Sequence, residues 1–194
     1  MHSTRLGPAG GGTRMKVYES PADGLEDAMR LSRAMTSKLS IAGLPFGGGK
    51  AVLAVREIPH DEERRRLLLT YGQTIASLRG GFVTGPDINT DESDMDTVAE
   101  RAPGHVFCRS VANGGSGGSA PATAVGVFHG IRTSVQRVIG RDIEGLTVVV
   151  QGAGGVGQKL AELLGGAGAV VVVSDIDADR AHTAAANAGG TVVP

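Results

Sequence analysis

The sequence predicts an α/β fold with parallel strands, and three observations carry that expectation. Short apolar runs at 51–55, 82–84, 146–151 and 169–175 have strand length and are rich in Val, with glycine or proline close by. The stretches 20–38, 61–78, 121–138 and 155–165 place apolar residues at helical spacing. The last two strand runs are separated by a glycine-rich turn and one helix, the spacing of a βαβ crossover, which joins parallel strands.

The first 17 residues are glycine-rich, short of apolar periodicity and without a predicted element. A helix start follows: Ser20 can cap, Pro21 suits the first helical position, and Asp23 stands three residues after the cap. Leu25, Ala28, Met29, Ser32 and Met35 form one stripe, expected to pack into the core. Residues 42–50 read as a loop and 51–55 as a strand, and 61–78 as a helix with Leu67, Leu68, Tyr71, Ile75 and Leu78 inward. Phe82, Val83 and Thr84 form a strand that ends in a turn carrying Asp87, and 91–101 is an acidic helix. Asn113 to Ser119 reads as a flexible linker or a hinge. Beyond it a helix presents Val125, Phe128, Ile131 and Val135, then comes a buried strand at 146–151. Two domains are expected, 1–110 and 111–194.

Composition excludes several classes. The chain has 31 glycines in 194 residues, but no triplet period and only 8 prolines, so it is not collagen-like. With 41% hydrophobic and 20% charged residues it is a globular chain rather than a disordered one. A net charge of −1 leaves no footprint for nucleic acid or an anionic membrane, and Arg64-Arg65-Arg66 reads as a solvated helix face. The lone Cys108 allows no internal disulfide and no thiolate metal site, and reads as a small apolar residue in a reducing compartment. No metal is expected. The N-terminus lacks the apolar run of a signal peptide and no segment is long enough to span a membrane, so a soluble, cytoplasmic protein is expected.

Gly152, Gly154 and Gly157 spell G-x-G-x-x-G, a weak signal alone in a chain this rich in glycine. Here it follows an apolar strand and opens a helix, and 18 residues after Gly157 an acid, Asp175, closes a second strand. The first glycine permits the tight turn, the second lets backbone approach a pyrophosphate, and the third lets helix pack on sheet. Residues Gly152, Ala153, Gly154, Gly155, Val156 and Gly157 would then hold a dinucleotide at the helix N-terminus. Asp175 would accept from the ribose hydroxyls and repel a 2′-phosphate, favouring NAD over NADP.

Lys50 follows Gly47-Gly48-Gly49, and Lys38 lies twelve residues earlier. Two lysines sharing a cleft would depress each other's pKa and let one act as a base near neutral pH. On the residues alone Lys50 reads more readily as an exposed loop residue than as a base, and Asp87 equally as a turn former or a catalytic acid.

Leu6-Gly7-Pro8 through Arg14-Met15, Met35-Thr36-Ser37-Lys38, and Ala42-Gly43-Leu44-Pro45-Phe46-Gly47-Gly48-Gly49-Lys50 together resemble the Glu/Leu/Phe/Val dehydrogenase family. Thr84-Gly85-Pro86-Asp87, Gly114-Gly115-Ser116-Gly117, Pro121-Ala122-Thr123-Ala124 and the glycine fingerprint follow in that family's order. The resemblance covers nearly the whole chain and is closest to the leucine, valine and phenylalanine dehydrogenases. It implies reversible, NAD-dependent oxidative deamination of an L-amino acid to its 2-oxo acid and ammonia, by a protein that is a homo-oligomer when full-length. It implies that Lys38 binds the substrate carboxylate over a floor of Gly11 and Gly12, that Lys50 activates water, and that Asp87 shuttles protons. Thr123 would contact the nicotinamide amide.

In glutamate-specific relatives a lysine stands where this chain has Gly10, so a buried glutamate carboxylate would lack its cation here. The expected substrate is therefore apolar: Leu, Val, Ile or Phe, with room for an aromatic ring. Two departures from the family stand out. Gly118-Ser119-Ala120 replace an expected Asp ahead of Pro121, and the motifs begin and end so close to the termini that the resemblance implies truncation at both ends. The expected architecture is thus an incomplete N-terminal α/β catalytic domain followed by the first half of a Rossmann dinucleotide-binding domain. Two other readings stay open: an inactive remnant serving as an NAD-binding or subunit-interaction module, and a half-enzyme completed by a separate partner.

Overall fold

In the computed structural model, which describes residues 1–194, β1 (Ala9–Val17) lies at the centre of a four-stranded parallel sheet. Ala9 pairs with Gly47 of β2 (Gly47–Gly48) and with Phe82 of β4 (Phe82–Pro86), so the strand has a neighbour on each side. Further along, Thr13 pairs with Ala51 of β3 (Ala51–Val55) and with Pro86 of β4. β2 and β3 therefore line one edge of β1 in succession, and β4 lines the other. The sequence reading leaves β1 without a predicted element, because three consecutive glycines hide the alternation by which a strand is recognised. The middle one is required sterically: a Cβ on Gly11 would overlap the Gly49 carbonyl oxygen.

Helix α1 (Pro21–Ile41) starts with the capping box expected of Ser20 and Asp23. Its core stripe, however, is rotated from the expected one. Leu25 and Met29 are exposed and Gly24 is buried instead, while Ser32 is buried as expected. A Cβ on Gly24 would stand 3.3 Å from the Ala54 Cβ, so the helix meets β3 through its glycine and turns its larger residues outward. Ser32 tolerates burial because its hydroxyl donates to the Ala28 carbonyl at 2.7 Å.

Helices α2 (Asp61–Ser77) and α3 (Glu92–Ala99) complete this unit. Leu68, Tyr71 and Ile75 are buried as expected with Met15, Met95, Val98 and Ala102, whereas Leu78, at the helix end, is partly exposed. A closed set of hydroxyls crosses this core, with Thr13 Oγ1 lying 2.6 Å from both Tyr71 Oη and Thr84 Oγ1. It satisfies three buried polar groups and ties β1 to β4 and α2.

The chain divides into two compact units, Met1–Gly118 and Ser119–Pro194. In the second, α4 (Ala120–Ile139) leads to a parallel sheet of β5 (Thr147–Gln151), β6 (Val170–Ser174) and β7 (Thr191–Val192) in that spatial order. α5 (Gly155–Gly166) and α6 (Ala178–Ala188) form the crossovers. Val150, Val171 and Val173 share a core with Ala124, Leu160, Ala161, Leu164, Ala181, Ala184 and Ala185. Two expectations are corrected here. Val125 is exposed and Ala124 is the buried residue of its turn. β5 is an edge strand rather than a fully buried one: Val150 faces the helices, while Val149, one residue earlier and on the opposite face, is 63% exposed. No helix of the protein is long and apolar enough to cross a membrane.

Candidate functional site

Period two along β1 places Gly10, Gly12 and Arg14 on one face, opposite the buried face of Ala9, Thr13 and Met15. Lys50, between β2 and β3, and Asp87, immediately after β4, are brought together on that face. Lys50 Nζ lies 3.0 Å from Asp87 Oδ1, and the lysine side chain is 6% exposed. Gly12 is the floor beneath them: a Cβ there would stand 3.2 Å from Lys50 Nζ and 3.0 Å from the Asp87 Cβ. Burial pulls the Lys50 ammonium below the usual lysine range. The Asp87 carboxylate opposes that effect, and the positive charges of Arg14 and Lys38 add to it. Burial alone would raise the Asp87 carboxyl, but hydrogen bonds from Arg14 and Lys50 outweigh it and hold the group below the ordinary range. Lys38 itself lies near the end of α1, exposed to solvent.

Arg14, which the sequence reading does not single out, completes the cluster. Its Nε donates to Asp87 Oδ2 at 2.8 Å and one terminal nitrogen donates to Asp27 Oδ2 at 2.8 Å. Tyr18 Oη donates to the same Asp27 oxygen at 2.7 Å. Burial works against the Asp27 carboxylate, yet hydrogen bonds from Tyr18, Arg30 and Arg14 bring its pKa down to about 2.

Beside this polar group the same face of β1 becomes apolar. A Cβ on Gly10 would meet Leu39 Cδ1 at 3.2 Å, Phe46 Cδ1 at 3.6 Å and Phe107 Cζ at 3.7 Å. The Phe46 and Phe107 rings meet edge to face at 5.7 Å. Gly10 is therefore closely lined by one aliphatic and two aromatic side chains, with no cation among these neighbours. The space is tight even for a methyl group, so the room expected beside Gly10 for an aromatic ring is taken up by Leu39, Phe46 and Phe107.

In the second unit, Gly152 to Gly154 form the turn between β5 and α5, and Gly155 to Gly157 open the helix. Gly152 has φ +98°, a backbone conformation that side chains rarely adopt. A Cβ on Gly157 would overlap the Gly152 carbonyl oxygen, whereas the Cβ position of Gly154 is open on all sides. The N-terminus of α5 has no side-chain cap and no acid in its first turn, leaving its amides available to an anion. Asp175, at the end of β6, accepts from the Ala153 amide at 2.5 Å and the Asp177 amide at 2.8 Å, and these bonds hold its carboxyl below the usual range. Thr123 is exposed, one turn along α4 from Ala120, which a Cβ on Gly155 would meet at 3.2 Å. An open glycine, an uncapped helix start and a carboxylate at the neighbouring strand end thus lie together at one end of the β5–β6 pair.

Comparisons with known proteins bear on the family and the fold. The profile described as Glu/Leu/Phe/Val dehydrogenase, dimerisation domain, matches residues 1–103, and that described as Glutamate/Leucine/Phenylalanine/Valine dehydrogenase matches residues 114–179. Leucine dehydrogenase of Bacillus subtilis (strain 168) is 38% identical over 194 residues, 100% of this chain and 52% of the relative. Valine dehydrogenase of Streptomyces coelicolor is 44% identical over 180 residues, 92% of this chain and 49% of the relative. The crystal structure of L-tryptophan dehydrogenase from Nostoc punctiforme superposes with a TM-score of 0.67 at 36% identity, covering 100% of this chain and 53% of that one. The chain thus spans about half the length of the curated relatives it matches. Two adjoining profile matches, near-complete coverage by relatives and a shared fold lead to one conclusion: the chain belongs to the Glu/Leu/Phe/Val dehydrogenase family.

Proposed function

We propose that the chain carries the catalytic and cofactor-binding residues of an NAD-dependent dehydrogenase that reversibly converts an apolar L-amino acid to its 2-oxo acid and ammonia. The observation that carries this reading is the buried Lys50–Asp87 pair on the glycine floor of β1, next to the apolar wall at Gly10. When bound, the nicotinamide accepts the hydride from the substrate Cα. The chain's residues do the rest. Lys38 pairs with the substrate carboxylate, and Gly11 and Gly12 let it lie against the strand. Asp87 takes a proton from the substrate amine. Lys50 removes a proton from the water that attacks the imine and, once protonated, stabilises the oxygen that gains charge. A lysine whose pKa is lowered by burial gives up its proton more readily than a free lysine, which favours that exchange.

The segment from Gly152 to Gly157 fits the pyrophosphate, since Gly154 is open and the α5 amides are uncapped. Thr123 would hold the nicotinamide amide. Asp175 supports NAD rather than NADP, because its carboxylate would face a 2′-phosphate with like charge. Asp175→Ala is accordingly expected to weaken NADH binding by about tenfold, the worth of a hydrogen bond to a charged group. NADPH binding should weaken less, so the NADH-to-NADPH affinity ratio falls; isothermal titration with both nucleotides measures it, and an unchanged ratio removes Asp175 from the selection.

Gly10 directs the choice of substrate. With Leu39, Phe46 and Phe107 around it and no cation beside it, a glutamate side chain would be left desolvated and unpaired, while leucine, valine, isoleucine or phenylalanine would be accepted. The test is NADH formation by the purified chain with a panel of L-amino acids. Faster turnover of glutamate than of leucine or phenylalanine would overturn the pocket reading, and no turnover with any amino acid would favour an inactive NAD-binding module. Assembly into a homo-oligomer is part of the proposal, supported by the dimerisation description of the matched N-terminal profile. So is a cytoplasmic setting, supported by a single free cysteine.

A further inference from the structure

The two oxygens of Asp87 have different partners. Oδ1 meets the Lys50 ammonium at 3.0 Å, and Oδ2 accepts from Arg14 Nε at 2.8 Å. Arg14 is itself fixed from behind: its second arm is held by Asp27 on α1, and Asp27 is held by the Tyr18 hydroxyl and by Arg30 at 2.7 Å each. The guanidinium is thus a planar fork between a carboxylate of the candidate catalytic pair and a carboxylate of a helix. An ammonium on a flexible stem could engage only one of the two with comparable geometry. The charged groups facing Asp87 are Arg14 from β1 and Lys50 from the segment between β2 and β3, with Asp27 and Lys38 of α1 behind them.

We infer that Arg14 is a positioning residue for the proton-handling pair: by engaging Oδ2 it turns Oδ1 of Asp87 toward Lys50 and keeps Asp87 a carboxylate, so that in the resting protein the proton of the pair sits on Lys50. Asp87 then begins a catalytic cycle as a proton acceptor, and its first donor is the substrate amine. The same positive charge adds to the effect of burial on Lys50 and eases the release of its proton to bulk water, the step that must precede its removal of a proton from the attacking water. The assignment rests on the proposed role of the Lys50–Asp87 pair, but its test does not require turnover.

The experiment is a pH titration of the Asp87 side-chain carboxyl by carbon-13 NMR, its resonance identified by its loss in Asp87→Asn. In the unaltered chain the midpoint is expected below the ordinary carboxylate range. In Arg14→Gln it should rise by about one pH unit or more, the usual effect of losing an adjacent opposite charge. Arg14→Lys should restore part of that rise but not all. A role confined to holding the fold together would lower thermal stability and leave the midpoint in place. An unchanged Asp87 midpoint in folded Arg14→Gln overturns the assignment, and if that variant does not fold, an unchanged midpoint in Arg14→Lys overturns it. A chain that turns over no amino acid can still display the shift, and an active chain can lack it, so failure of this inference is distinguishable from failure of the dehydrogenase reading.

Discussion

Replacing Lys50 by alanine is expected to cut NADH formation by about 10²–10⁴-fold, the range associated with a positioned acid–base group. Lys50 is the candidate base with both burial and a partner: its side chain is 6% exposed, and its ammonium lies 3.0 Å from Asp87 and is drawn below the usual lysine range by desolvation. Alanine removes the group that would take the water proton and hold the developing oxyanion, while Asp87 keeps Arg14 as its counter-charge. NADH binding, measured by fluorescence, should be unaffected, because the segment from Gly152 to Gly157 and Asp175 belong to the other compact unit. Lys50→Arg separates charge from proton transfer: it preserves a cation beside Asp87 but cannot be deprotonated, so it should fold well and still turn over poorly. Retained turnover in Lys50→Ala would take Lys50 out of the mechanism.

What the sequence reveals of this protein depends on where the information is local. The capping box of Ser20 and Asp23 involves residues three apart, and it is present as expected. The turn at Gly152 and the acid ending β6 are also local, since strand, turn, helix and strand follow one another directly. β1 fails the same test: Gly11 is dictated by the Gly49 carbonyl and Gly12 by the Pro86 carbonyl, both far away in the sequence, and those close approaches remove side chains that would mark a strand. Once β1 is known to be a strand, the alternation from Gly12 to Arg14 places the guanidinium beside Asp87, so Arg14 is legible only through a strand that is itself hidden. Helix faces are similarly underdetermined. Leu25 and Val125 fit an apolar stripe by spacing, but which arc of a helix is buried depends on its neighbour, and at α1 that neighbour demands Gly24.

Asp94→Ala is expected to cause the largest loss of stability, about 3 kcal/mol, the lower end for breaking a buried ion pair because Arg64 retains some contact with water. Arg64 Nε donates to Asp94 Oδ1 at 2.7 Å and a terminal nitrogen donates to Oδ2 at 2.5 Å, so the pair is bidentate. Asp94 Oδ2 also accepts from the Asp91 amide at 3.0 Å, completing the capping box of α3. Alanine would therefore strip the guanidinium of its counter-charge and break the reciprocal half of the capping box in one step, leaving Asp91 to cap the Ser93 and Asp94 amides. Arg64 would be left with the carbonyls of Asn89 at 2.8 Å and Pro59 at 3.4 Å, acceptors too few and too weak for a desolvated cation. Urea denaturation measures the loss as a lower midpoint at unchanged slope. The double variant Arg64→Met, Asp94→Ala should be more stable than Asp94→Ala alone, because no buried charge is then unpaired. The consequence reaches the candidate site through Asn89: Arg64 grips the loop that begins at Asp87, so releasing it frees the segment on which the Lys50 contact depends. A loss below about 1 kcal/mol would mean that water already satisfies Arg64 and that the loop is held by Thr90, whose hydroxyl bonds the Thr13 carbonyl, rather than by the ion pair.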